Sequence, residues 1–150
     1  MHDMQDANAD RREWMGLLAR APLEMLESWA AGRDDGFIWL RRPEAGLAMV
    51  RARIGATGNR FNVGEVTVTR CTLRLAKGQH GVAYVQGRSS RKAELAALAD
   101  ALLQEPVQRT ELERDLLQPL RARSAKVRAA AEQEATLTRV DFLTVSRGDE

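Results

Sequence analysis

The chain has 150 residues, with 44% apolar and 29% charged, the make-up of a soluble globular protein large enough for one domain and tight for two. Its 23 Lys and Arg stand against 21 Asp and Glu, so a net charge of +2 is too small to point to nucleic acid, and 5% aromatics are too few for a base-stacking surface. One cysteine, Cys71, excludes an internal disulfide, and no apolar stretch approaches the roughly 20 residues that span a bilayer. The polar, acidic start MHDMQDANADRREW is no secretory signal, and the chain reads as cytoplasmic.

Residues 1–9 carry no pattern and read as a flexible N-terminus. Asp10 and Glu13 have capping-box spacing, and the helix they open sets Trp14, Leu17 and Leu18 on one face. Pro22 suits the first turn of a second helix with the stripe Leu23, Leu26, Trp29 and Ala30, closed by Gly32.

The apolar period then drops to two. Phe37-Ile38-Trp39-Leu40 is a short strand stopped at Pro43. In 47–54, Ala48, Val50, Ala52 and Ile54 share one face, and Met49, Arg51 and Arg53 share a wetter one. The glycine-rich GATGNRF leads into a strand over 63–75. Val66 and Val68 take one parity there and Cys71, Leu73 and Leu75 the other, so a bulge is expected near Thr69-Arg70. A turn over 77–81 precedes the strand 82–86. Four strands with short links predict an antiparallel sheet.

Ser89 or Ser90 caps the next helix, with Leu95, Leu98, Ala99 and Leu102 as its stripe. A second, small face of Ala93, Ala97 and Ala101 lets a neighbour approach closely. Pro106 ends this helix, and a further helical run, interrupted at Pro119, reaches about Ala135. Residues 136–150 return to β-type residues and read as an extended tail. The fold class is therefore α+β in one domain, 1–150: two N-terminal helices, a four-stranded antiparallel sheet, C-terminal helices and the tail.

Two segments ill suit a self-sufficient domain. Arg121, Arg123, Lys126 and Arg128 precede Glu132 and Glu134 on the late helix, opposite to what the helix dipole favours. Either this is a solvated face, or a partner's acidic surface or a phosphate compensates. Val140, Phe142, Leu143 and Val145 are too apolar for a free tail, so they pack on the chain's own sheet or on another subunit.

No catalytic centre assembles. His2 and His80, with one cysteine, cannot supply a zinc site, so no metal or cofactor is expected in this chain. Cys71 falls on the apolar parity of a strand and reads as a buried thiol. GATGNRFNVGE lacks the Gly-Lys-Ser/Thr ending of a phosphate loop. Arg60, Arg70 and Arg88 would contact an anion if their loops converge.

FNVGEVTVTRCTLRL (61–75), GVAYVQGR (81–88) and KAELAALADAL (92–102) resemble the PhnG family, a subunit of the bacterial carbon–phosphorus lyase machinery. The resemblance also takes in Arg-Glu-Trp-Met (12–15), the strand and loop 46–58 and Arg139-Val140-Asp141-Phe142, and so covers about 12–148. The family often has Asp and His where this chain has Ser89 and Lys92, so no role of theirs transfers. The resemblance implies a non-catalytic member of a hetero-oligomer with subunits H, I and J. With H, I and L it is needed to transfer ribose triphosphate from ATP to methylphosphonate, displacing adenine. Subunit I carries the nucleosidase, and J later cleaves the C–P bond with S-adenosylmethionine and an iron–sulfur cluster. Arg139, Val140, Asp141, Phe142 and Leu143 are then expected at a subunit interface, with Phe142 buried there.

Two other classes stand beside this one. A stand-alone enzyme would use Glu65 or Glu94 with the arginines and release adenine from ATP unaided. A nucleic-acid module on the basic helix 121–128 would bind with steep salt dependence.

Overall fold

Residues 2–53, 58 and 60–146 are described by a computed structural model, the side chains of 2, 52, 53, 60, 62 and 138–146 excepted. Helix α1 (His2–Ala19) runs unbroken from the second residue. The expected start at Asp10 is therefore wrong. No Gly or Pro interrupts 2–13, and Asp10 lies mid-helix, where it pairs with Arg109 at 2.5 Å instead of capping. Helix α2 (Leu23–Ala30) follows Pro22 as foreseen and is followed by Gly32 at φ 76°, left-handed backbone that glycine adopts freely.

The sheet has three antiparallel strands, not four, in the order β1 (Phe37–Arg53), β2 (Arg60–Leu75), β3 (His80–Gln86). The two runs expected on either side of Pro43 are one strand. β1 lies at the sheet edge, and its register slips between Trp39 and Arg41 and between Arg41 and Glu44, so Pro43 sits within a bulge. The bulge expected near Thr69-Arg70 is absent from β2, which pairs with β3 in unbroken register from Val68↔Gln86 to Arg74↔His80. Its phase holds from Thr69 to Leu75. Thr69 continues the buried parity of Cys71, Leu73 and Leu75, and its hydroxyl donates to the Gly87 carbonyl at 2.6 Å.

Helix α3 (Ser90–Leu103) crosses one face of the sheet. Ser89 caps it by accepting from the Lys92 amide, and nearly its whole circumference is buried. The small face does what its sequence predicts: a Cβ on Gly81 would fall 1.9 Å from the Ala97 carbonyl oxygen and 2.9 Å from the Ala101 Cβ. α1 and α2 pack on the same side, so Trp14, Leu18, Leu26, Leu73, Val85, Leu98 and Leu103 share one core.

Beyond Pro106 the chain stays helical: α4 (Pro106–Leu112), a π-helical turn (Glu113–Leu117) and α5 (Gln118–Ser146). Pro119 does not break the run. The preceding turn is widened, with the Gln118 amide donating to Glu113 five residues back, which makes room for a proline ring and its missing donor. The expected extended tail is wrong up to Ser146. With no Gly or Pro in 120–146, the small helix penalty of β-branched residues does not stop propagation.

β1 and β2 outrun the sheet. β3 ends opposite Val68, whereas β1 and β2 go on pairing to Arg53↔Arg60 as a two-stranded arm.

Candidate functional site

Arg60, Arg70 and Arg88, the expected anion contacts, are spread along the sheet and not gathered on one loop cluster. Ten residues of strand put Arg60 about 33 Å from Arg70, at the far end of the arm. Arg70 lies on the open face and donates from Nε to Glu44 at 3.0 Å. Arg88 follows β3 and is exposed. The Arg60 side chain lies outside the described residues, as do those of Arg139, Val140, Asp141, Phe142 and Leu143, whose backbone belongs to α5.

The most densely bonded group is one that sequence reasoning missed. Asp100, on α3, is completely buried, and its carboxylate accepts four hydrogen bonds. Arg11 donates through Nε at 3.2 Å and through its terminal nitrogen at 2.9 Å, Trp14 Nε1 at 2.8 Å and the Val82 amide at 2.9 Å. α1, β3 and α3 thus meet on one charge. Every acceptor position is used, so the group is a structural junction and not an available base. An aspartate one turn from the helix end, amid Leu and Ala, was the available signal.

Other reactive groups are equally spoken for. The Cys71 thiol is buried and donates to the Ala93 carbonyl at 3.2 Å; burial, and then Glu94, push its pKa up to about 12. Glu94 accepts from Arg91 at 3.0 Å, and Glu65 is exposed on the arm. Among the described residues, no group of three or more His, Cys, Asp or Glu could hold a metal ion, and no helix is long and apolar enough to cross a membrane.

What remains open is surface. Arg121 is satisfied within the chain, donating to Glu13 at 2.6 Å and to Glu113. Arg123 and Arg128 have no carboxylate partner among the described residues. With Arg20 they line a groove of about 230 Å³ between α1 and α5, floored by Leu17, Ala21, Leu120 and Val127. Burial, with Arg123 nearby, holds the Lys92 ammonium below its ordinary range. The groove can take a negatively charged group, but it holds nothing that activates one. The arm is the second open surface, apolar on both faces.

A family model described as phosphonate metabolism protein PhnG matches residues 9–148. The chain is 44% identical over 144 residues to the alpha-D-ribose 1-methylphosphonate 5-triphosphate synthase subunit PhnG of Rhizobium meliloti (strain 1021), covering 95% of this chain and 92% of that protein.

Proposed function

Since the chain belongs to the PhnG family of phosphonate metabolism proteins, we propose that it is a subunit of an α-D-ribose 1-methylphosphonate 5-triphosphate synthase complex and works by completing or shaping its partners' active site. The observation that carries this reading is end-to-end likeness, 44% identity across 95% of the chain, to a protein bearing that name. The finer assignment is that its partners are the H, I and J subunits of carbon–phosphorus lyase. The reaction is transfer of ribose triphosphate from ATP to methylphosphonate with loss of adenine, carried out in the cytoplasm. The residues give independent support. Asp100 is saturated and Cys71 sealed, and neither Glu65 nor Glu94 is placed as an activated base. The end of α5, at Arg139, Val140, Asp141, Phe142 and Leu143, is one proposed contact with a partner.

Co-expression decides the matter. Tagged chain produced with subunits H, I and J should carry them through purification, and with subunit L added the assembly should release adenine from ATP when methylphosphonate is present. The chain alone should release none, and leaving it out should abolish the reaction. Adenine release by the isolated chain at a comparable rate would overturn the reading in favour of a stand-alone enzyme.

A further inference from the structure

The β1–β2 arm presents the largest unexplained expenditure of apolar surface in the molecule. Leu47, Met49, Val50, Phe61 and Val63 are all between 40% and 67% exposed, and all lie past the point where β3 ends. By register, Leu47 and Met49 fall on one face, beside Thr67 and Glu65, and Val50 and Phe61 on the other, so both faces of the arm carry exposed apolar side chains. None of these side chains touches the core around α3. A hairpin of this kind is marginal in water on its own and needs a third strand or a packing face. Both of its strand edges are also unpaired, since β1 is the sheet edge throughout and β2 loses β3 at Val68.

Charge says what covers it. Residues 47–66, which make up the arm, hold three arginines and one glutamate, a net +2 that equals the charge of the whole chain, so the rest of the protein has no net charge. Arg51 is exposed and has no carboxylate partner among the described residues. Two such arms would repel, which disfavours a second copy of this chain. From these observations, and resting on the reading of the chain as a complex subunit, we infer that the arm is the docking element of the protein. It inserts into an apolar cleft rimmed by carboxylates on a partner subunit, burying both faces and adding a strand to the partner along a free edge.

Two variants test this in the co-expressed complex. Val50→Asp with Phe61→Asp removes the apolar contact, and Arg51→Glu reverses a charge. Each should lower the amount of partner retained on the tagged chain by about tenfold or more, as loss of central anchors does. The charge reversal should also flatten the dependence of retention on salt. The isolated variants should keep the wild-type unfolding midpoint, because none of the three side chains reaches the core. Retention of partners at wild-type levels by both variants overturns the inference and leaves the subunit reading standing. Failure of the wild-type chain to retain any partner overturns both. A dimer of the free chain that either variant splits, seen by sedimentation, would show a second copy as the occupant and also overturn it.

Discussion

The contact of α3 with the sheet and the β1–β2 arm are built from similar small and branched apolar residues, and they end in opposite states. Under α3, Gly81 and the alanines at 93, 97 and 101 bring backbone against backbone until no methyl group could be added. On the arm, Leu47, Met49 and Val63 remain more than half exposed. The first region is fixed by its own chain. The second has the pairing of a sheet without its burial. Apolar pattern specifies secondary structure in both, but only contact from a third element turns pattern into a core.

The comparison breaks most easily at Asp100. Asp100→Ala leaves the Arg11 guanidinium, the Trp14 indole and the Val82 amide without their shared acceptor. Arg11 is 36% exposed and can turn to water, so the loss falls chiefly on the donors left unsatisfied, about 1–3 kcal/mol for each, which urea unfolding will show as a lowered midpoint. A loss within ~0.5 kcal/mol would mean the junction is dispensable. Gly81→Ala comes next. Its methyl would collide with the Ala97 carbonyl, so the strand or helix must shift, at about 1–3 kcal/mol for overpacking.

Cys71 tests the same seal through pH. Its pKa lies at about 12 when folded, against 9.0 when exposed. The buried neutral thiol thus gives its full stabilisation below pH 9, and this is lost as pH rises toward 12. Relative to Cys71→Ala, the wild-type chain should lose roughly 1 kcal/mol by one unit above pH 9. Parallel alkaline unfolding of the two proteins would show that the thiol is not sealed. The smallest effect sharpens the contrast: the arm substitutions used to test docking should change isolated-chain stability by less than ~0.5 kcal/mol.

Much of the body was legible. The stripe of Trp14, Leu17 and Leu18, the Ser89 cap, the close-packing alanines and the buried Cys71 all follow from local periodicity and capping chemistry. Several misses arise where the surrounding structure outweighs a local breaker. Pro43 was read as a strand end, but an edge strand tolerates a missing donor. Pro119 was read as an interruption, but a wider helical turn absorbs it. The β-type residues after Ala135 were read as a tail, but a helix already nucleated runs through them. The scattering of Arg60, Arg70 and Arg88 could not be read without the register, and neither could the convergence of Arg11, Trp14 and Val82 on Asp100. Those partners lie up to 89 residues away in the chain.

That separation bears on how the protein is made. The charged groups that secure α1 emerge late: Asp100 for Arg11 and Trp14, Arg109 for Asp10, and Arg121 for Glu13. At about 5–20 residues per second of synthesis, the first helix leaves the ribosome on the order of 5–20 s before its anchors exist. During that interval its indole and leucines are exposed. The nascent chain is therefore most open to chaperone capture or misassociation at its beginning, and the fold closes only as its last third appears.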